Sequence, residues 1–340
     1  MRIVSSTIAP IAFPQGRRGW TLRLVDDAGR IGTGEASPLP GYSPDDTASC
    51  ERALANVAQR LVETDDGDAI ATVEAMLAPA AESFSGTPAA RFAVETALFD
   101  LIGKVRGVAV AEVLGGRAHN RVALNGVVGI DGDLAHWVAD AKELMARDIR
   151  VVKIKIGRSN HSFESERDAL HRLRDTLPRD ARMRLDANGS FGEDARDQLG
   201  RLSDLAPEFV EEPTRGEALA KLGECAIPWA ADESLAIPSL VDRFLDHSAC
   251  EVVILKPAFL GGLIYARKIA LRARARGLGV VVTHLFDGMI GHAAACELAL
   301  SIDAPLACGL DRYEGIEASP HLMIPGFVST TGRPGLGLTS

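Results

Sequence analysis

The amino-acid sequence predicts an α/β fold, a TIM-type β/α barrel that follows a smaller α+β unit. Two observations lead to this prediction. First, eight short runs rich in β-branched residues recur from residue 121 onward, separated by amphipathic helical segments. Second, the preceding third of the chain lacks this alternation and has strand-like stretches followed by helical patterns. Regular alternation of strand and helix is typical of a parallel β/α barrel. A doubly wound open sheet is the alternative, but it gives no reason for so even a repeat.

The first third of the chain reads as a short antiparallel meander followed by helices. The stretches "TLRLVDD" and "RIGTGEA" are strand-like, and "DDAG" between them is a turn signal. Helical patterns follow in "DDTASCERALANVAQRLVE", "AIATVEAMLAPAAESF" and "PAARFAVETALFDLIGKVRG". The last of these has a long apolar stripe rich in alanine, so we expect it to be packed on both sides.

The eight strand-like runs begin 21 to 31 residues apart, which is the spacing of successive β/α units. Their first residues are Arg121, Val151, Arg182, Glu208, Trp229, Glu251, Gly279 and Pro305. The Gly- and Pro-rich tail after Asp311 is expected to pack back on the first unit. The predicted domains are therefore 1–120, 121–311 for the barrel, and 312–340 for the C-terminal segment.

Composition excludes several classes of function. The net charge of −9 argues against binding nucleic acid through its phosphates, and no apolar stretch is long enough to cross a membrane. The five cysteines are scattered and form no C-x-x-C pair, which favours reduced thiols in a cytoplasmic protein. The N-terminus lacks a signal-peptide pattern. The oligomeric state stays open.

The run "VVKIKIG" carries two lysines in an otherwise apolar strand. Alternation directs Lys153 and Lys155 to one side of the strand, and Val152, Ile154 and Ile156 to the other. Two neighbouring ammonium groups repel each other and are costly to bury, so a packed core does not select them for stability. A functional role is therefore expected for both lysines.

Polar side chains also stand at the carboxyl ends of the other strands, where a β/α barrel has its active site. They are Asp186, Asn188, Glu211, Glu212, Asp232, Glu233, Lys256 and His284. Carboxylates that converge from three adjacent strands suit a hard cation such as Mg²⁺. A single acid at such a place is as often a solvated strand end or a helix cap, but three in register are hard to explain in that way.

The lysines suggest the chemistry. A lysine that abstracts a proton must be neutral near pH 7, and a nearby cation or burial lowers its pKa. A small substrate carboxylate at the cation would lie between the lysine pair and Lys256 on the opposite side of the barrel mouth. This arrangement suits removal of a proton α to a carboxylate, with the cation stabilising the resulting enediolate.

The motifs "KIKIG", "RLDANGS", "FVEEPT", "ADES" and "ILKP" together resemble the signature set of the enolase superfamily. The resemblance covers essentially the whole chain and implies a modified (β/α)7β barrel with an N-terminal α+β capping domain. Lys256 on the sixth strand resembles the muconate-cycloisomerase subgroup. The mandelate-racemase subgroup instead pairs a histidine on strand seven with an aspartate at the Lys256 position. His284 is accordingly a candidate substrate contact, with an ordinary packing histidine as the alternative.

The resemblance also implies roles for individual residues. Asp186, Glu211 and Asp232 would bind Mg²⁺, with Mn²⁺ as a substitute. Lys155 would be the base, Lys153 would polarise the substrate carboxylate, and Lys256 would lie on the other face. By the same resemblance, Glu212 and Glu233 would orient the lysines or the metal ligands. Asn188, Gly261 and His284 are further candidates for that surrounding layer or for substrate contact. In "FLGGLIYARKIA" the backbone amides at Gly261 would face a substrate carboxylate, with a tight turn before a helix as the alternative.

Within the subgroup, the o-succinylbenzoate synthases are the most similar. "GTGEASPLPGYSPDDT" and "CGLDRYEG" resemble segments of that family, and the Asp-x-Asp of dipeptide epimerases is missing because Tyr313 follows Arg312. The predicted reaction is dehydration of 2-succinyl-6-hydroxy-2,4-cyclohexadiene-1-carboxylate by Lys155, a syn elimination in menaquinone biosynthesis. The alternatives are a dipeptide epimerase, an N-acylamino acid racemase or a muconate-type cycloisomerase. A catalytically silent binding barrel would need none of these strand-end residues.

Overall fold

The N-terminal unit begins with an antiparallel sheet of three strands. The computed structural model describes residues 1–58, 67–117, 121–313, 319–322 and 324–338. The strands are β1 (Ile3–Ala12), β2 (Arg18–Asp26) and β3 (Ile31–Ala36), in the order β1-β2-β3. The predicted meander is therefore confirmed. Gly29, in the turn between β2 and β3, has φ of 77°, which glycine adopts without strain.

Helices follow this sheet in the N-terminal unit. They are α1 (Thr47–Ala58), α2 (Ala69–Leu77), α3 (Pro88–Arg106) and α4 (Val110–Val113). Nearly every residue of α3 from Ala89 to Gly103 is buried, which agrees with the predicted packing on both sides. The strand β3 approaches α3 closely, because a Cβ at Gly34 would lie only 1.8 Å from the Ala93 carbonyl oxygen. The predicted first helix continues past residue 58, and that part lies outside the described residues.

Seven parallel strands follow in sequential order, each hydrogen bonded to the next. They are β5 (Asn125–Val128), β6 (Val151–Lys155), β7 (Arg182–Asp186), β8 (Val210–Glu211), β9 (Trp229–Ala231), β10 (Val252–Leu255) and β11 (Gly279–Val282). The eighth run lies between β11 and β5 and makes one parallel bridge to each side, Thr283 with Gly309 and Leu124 with Cys308. These bridges close the predicted barrel.

One run is divided differently from the prediction. The sequence reads as one strand from Arg121 to Ile130, but β4 (Arg121–Ala123) leaves the barrel and pairs antiparallel with β12 (Phe327–Ser329). The chain changes partner at Leu124, whose N–H donates to the Gly326 carbonyl rather than to a barrel strand. Hydrophobic alternation does not mark such a change, because both halves have one buried face.

The barrel helices lie between successive strands and complete the α/β fold. They are α5 (Trp137–Ala146), α6 (Phe163–Thr176), α7 (Ala195–Arg201), α8 (Gly216–Ala220), α9 (Pro238–Asp246), α10 (Pro257–Leu260), α11 (Leu263–Ala275) and α12 (Met289–Ser301). Short 3₁₀ helices occur at Pro14–Gly16, Ala78–Phe84, Gly192–Asp194, Ser203–Leu205, Glu233–Ala236 and Pro320–Leu322.

The described end of the chain contacts the N-terminal unit. The Gly335 N–H donates to Val108, the Val110 N–H donates to Gly335, and the Leu336 N–H donates to the Asp100 carboxylate. The domain limits remain a prediction. All five cysteines are free thiols, and none of the described helices has the length and apolar character needed to span a membrane.

Candidate active site

The strand β6 places two lysines inside the barrel. Val152 and Ile154 are fully buried on its outer face, and Lys153 and Lys155 project inward, as the alternation predicts. Both line a cavity of about 650 Å³ at the carboxyl ends of the strands, together with Lys256 and Asp186. In a barrel of eight positions, β6 and β10 are four positions apart, so Lys155 and Lys256 approach this cavity from opposite sides.

Lys153 is held between two carboxylates. Its Nζ lies 2.9 Å from Asp186 Oδ2 and 2.5 Å from Glu211 Oε2. Burial alone would lower the pKa of Lys153, but Asp186 and Glu211 outweigh burial, and its pKa is raised above the ordinary lysine value. Lys153 is therefore a fixed positive charge at the cavity.

Lys256 is fixed in a similar way on the other side. Its Nζ lies 2.5 Å from Asp232 Oδ2 and 3.2 Å from Glu233 Oε1, and it also donates to the Tyr42 hydroxyl. The pKa of Lys256 is raised, because Asp232 and Glu233 outweigh the effect of burial. All three of its ammonium hydrogens therefore have acceptors.

Lys155 differs from the other two lysines. It forms no ion pair or hydrogen bond through its ammonium with the residues that the structure describes. Burial lowers the pKa of Lys155, and repulsion from Lys153 and Lys256 lowers it further, against an opposing contribution from Asp186. Lys155 thus gives up its proton more readily than an ordinary lysine, as a general base must.

Three carboxylates lie on consecutive strands. Asp186 on β7 pairs in register with Glu211 on β8, and Asp232 directly follows β9. Each of the three is at most 2% exposed. Burial raises the pKa of Glu211 and Asp232, whereas at Asp186 the lysines outweigh burial and lower its pKa. A cation beside these groups would offset the penalty of burying their charge.

The donor set fits a hard cation. All three groups offer carboxylate oxygens, and Asp232 Oδ1 is buried with no hydrogen-bond partner in the described part of the chain. Among the described residues, no three side chains of His, Cys, Asp or Glu lie close enough together to hold a cation as they stand. Lys153 instead pairs with Asp186 and Glu211, and Lys256 pairs with Asp232.

Neighbouring polar residues orient these carboxylates. Glu212 accepts from the backbone N–H of Asp232 at 2.8 Å and from that of Ser234 at 3.0 Å, so it fixes the loop after β9. Burial raises the pKa of Glu212 to about 7. The Asn188 amide donates to Asp186 Oδ1 at 2.6 Å. Glu233 contacts Lys256 rather than a strand-end carboxylate.

The two remaining predicted residues have different outcomes. His284 lines the cavity, and burial lowers its pKa to about 4, so its imidazole is neutral at pH 7. Its Nδ1 has no partner among the described residues. Gly261 does not line the cavity and instead lies beside Pro88 of α3, with φ of 87°. The chain turns there from α10 into α11, and this turn faces the N-terminal unit.

Tyr42 is a site residue that the sequence analysis missed. Its hydroxyl donates to Glu233 and accepts from Lys256, and its ring centroid lies 4.9 Å from Lys256 Nζ. Tyr42 lies in the turn "LPGYSP", where the Tyr42 N–H donates to Leu39. That pattern predicts a turn, but no local signal shows that the turn reaches a lysine 214 residues away.

The family comparisons cover nearly all of the chain. Residues 136–340 match the family described as Enolase C-terminal domain-like. Residues 15–115 match the family described as Mandelate racemase / muconate lactonizing enzyme, N-terminal domain.

Individual relatives are similar over most of their length. The chain is 33% identical to an L-Lys-D/L-Arg epimerase of Methylococcus capsulatus, over 93% of this chain and 89% of that protein. It is 30% identical to an o-succinylbenzoate synthase of Desulfotalea psychrophila, over 82% of each. A crystal structure of a dipeptide epimerase from Methylococcus capsulatus, complexed with Mg and the dipeptide L-Arg-D-Lys, superposes with a TM-score of 0.87 at 28% identity over 100% of both chains.

Proposed function

This chain belongs to the enolase superfamily, and on that premise we propose that it is a dipeptide epimerase, which inverts the α carbon of the C-terminal residue of a dipeptide. One observation carries the proposal. Lys155, with its lowered pKa, and Lys256, held as an ammonium, approach one cavity from opposite sides. A base on one face and an acid on the other are what inversion of a carbon acid requires.

The proton transfers follow from the protonation states of the lysines. Neutral Lys155 takes the α proton, and the electron pair of the broken C–H bond moves into the substrate carboxylate. The Lys153 ammonium stabilises the charge that develops there. Lys256 then gives a proton to the opposite face of the α carbon, which leaves Lys155 protonated and Lys256 neutral. The other epimer reacts by the same steps with the two lysines exchanged.

We assign Asp186, Glu211 and Asp232 as the residues that would hold Mg²⁺, with Mn²⁺ as a substitute. The bound cation supplies positive charge beside the substrate carboxylate and makes the α proton more acidic. The support is the all-carboxylate donor set, the unpartnered Asp232 Oδ1 and the Mg in the structure of the Methylococcus capsulatus relative. Glu212 and Asn188 would keep two of these carboxylates in place.

This proposal replaces the o-succinylbenzoate synthase of the sequence analysis. The relatives include epimerases and a synthase. The Methylococcus capsulatus epimerase has the higher sequence identity to this chain, and its match covers a larger share of the chain than that of the synthase. The synthase stays the second candidate, because a syn elimination needs only Lys155 and the Desulfotalea psychrophila relative is 30% identical. The substrate in either case is a small carboxylate. We also keep the proposal that the protein acts in the cytoplasm.

Incubation of a dipeptide panel in D₂O with Mg²⁺ tests the proposal. We expect ¹H NMR to show inversion of the C-terminal α carbon together with deuterium at that carbon. The cyclohexadiene carboxylate is incubated in parallel and followed by its ultraviolet absorbance. Metal-dependent loss of the diene without inversion of any dipeptide would refute the epimerase and support the synthase.

Tyr42 provides a prediction about the geometry of Lys256. Replacing Tyr42 with phenylalanine keeps the ring on Lys256 and removes one acceptor of its ammonium, so inversion should fall about 10-fold, as expected for losing a hydrogen bond to a charged group. Deuterium exchange that retains the configuration of the α carbon should fall much less, because it requires only Lys155. Tyr265→Phe, on α11, is the matched control. Equal loss of exchange and inversion in Tyr42→Phe would contradict this role.

A further inference from the structure

A second cavity, of about 380 Å³, adjoins the lysine cavity and shares part of its wall. We call it the aromatic vestibule and define it by its apolar lining residues, Phe13, Pro14, Leu39, Pro40, Phe286 and Tyr313. Four segments build it: the connection between β1 and β2, the turn that carries Tyr42, the loop that follows β11 and the loop that follows the eighth run. The rings of Phe286 and Tyr313 contact each other, with centroids 4.5 Å apart.

Among the lining residues that the structure describes, the charged one is Arg17, and it already has partners. The Arg17 guanidinium lies 4.2 Å from the centre of the Phe13 ring. Its Nη1 donates to the Leu285 carbonyl at 3.2 Å, and its Nη2 donates to the Phe286 carbonyl. Its charge is balanced by the buried carboxyls of Glu35 and Asp287. Arg17 therefore connects segments of the vestibule wall through these contacts. No acidic side chain is among the described residues of the lining.

The wall also contains backbone in an unfavourable conformation. Gln15 and Phe286 have φ of 61° and 53°, a left-handed region that costs a bulky residue about 1 kcal/mol or more. Arg17 holds Phe286 in this conformation through the Phe286 carbonyl. Such strain persists where the surroundings enforce it, and it is concentrated at ligand sites. The shape of the vestibule is thus built into the fold.

We propose that the aromatic vestibule binds the N-terminal residue of the dipeptide and selects an apolar side chain, above all an aromatic one. The inference rests on the proposed function, which places the carboxylate and the α carbon of the C-terminal residue among the lysines. The lysine cavity and the vestibule share part of their wall, including Phe286 and Tyr313, so the N-terminal residue can extend from the first space into the second. A cationic side chain would lose its hydration there without gaining an acidic partner among the described residues of the lining. This chain should therefore differ from its relative that acts on L-Lys-D/L-Arg.

Unreactive dipeptides test the vestibule without any turnover. Dipeptides that end in α-aminoisobutyrate have no α hydrogen to lose, so their dissociation constants can be measured by calorimetry with Mg²⁺ present. We expect Phe-aminoisobutyrate to bind about 10-fold or more tightly than the Ala and Lys analogues, since one buried apolar side chain gives discrimination of that size. Equal or tighter binding of the Lys or Glu analogue, or no binding of any analogue, would overturn the inference.

Two variants locate the selectivity. Phe13→Ala and Tyr313→Ala should each lower the ratio of Phe to Ala affinity about 5-fold or more, because each removes apolar wall. Phe163→Ala is the matched control, since Phe163 also stacks under an arginine, Arg201 at 4.3 Å, but lies elsewhere. An unchanged ratio in both vestibule variants would contradict the proposal. Selective binding without inversion of any reactive dipeptide would refute only the proposed reaction.

Discussion

Replacing Lys155 with alanine is expected to lower kcat about 10²–10⁴-fold, the range that a positioned general base contributes. The expected loss is large because Lys155 is the one lysine of the three whose pKa is lowered, and Lys153 and Lys256 are both held as ammonium ions. Steady-state kinetics on the best substrate of the dipeptide panel measures the effect.

The fold should be retained in this variant. Lys155 has no ion pair with the described residues, and removing a buried amine leaves no carboxylate unpaired. Thermal unfolding should therefore give a Tm close to that of the wild type. Lys142→Ala, an exposed lysine on α5, is the matched control for loss of a lysine. Near-normal kcat in Lys155→Ala would contradict the assignment of the base.

Replacing Asp186 with asparagine is expected to abolish Mg²⁺ binding and turnover together. The substitution removes one of three carboxylates from the proposed cation site and also removes the charge that faces Lys153 at 2.9 Å. Calorimetric titration with Mg²⁺ measures binding independently of activity, and its affinity should fall by at least about 100-fold, since even outer residues around a metal contribute 10- to 100-fold.

Chelation of the wild-type protein provides the companion test. Turnover should stop in excess chelator and return when Mg²⁺ or Mn²⁺ is added back. Asp168→Asn, an exposed acid on α6, is the matched control and should bind Mg²⁺ normally. Full turnover in excess chelator, or unchanged Mg²⁺ affinity in Asp186→Asn, would contradict the assigned cation site.

The sequence predicted the parts of the site that depend on local patterns. Alternation within "VVKIKIG" is a property of the strand itself, so the inward direction of Lys153 and Lys155 could be derived. The even spacing of the strand-like runs likewise predicted the barrel, and parallel strands bring their carboxyl ends to one edge. Asp186, Glu211 and Asp232 therefore had to lie near one another.

Features that depend on contacts between distant segments could not be predicted. The contact of Tyr42 with Lys256 requires the N-terminal turn to dock on the barrel, which no local period encodes. Gly261 faces Pro88 for the same reason. The stretch "PLPGYSP" favoured the synthase, yet its residues are those of any tight turn, so turn chemistry could not identify a substrate.

The pairing of Lys155 with Lys256 across the cavity is the central claim, and one measurement tests it most directly. The Lys256→Ala variant is incubated in D₂O with a single epimer of the best substrate. ¹H NMR measures deuterium exchange at the α carbon, and chiral analysis measures inversion separately. Since Lys155 remains, deuterium should enter the epimer that faces Lys155 with retention of configuration, and no inversion should occur. Inversion at the wild-type rate would contradict the account.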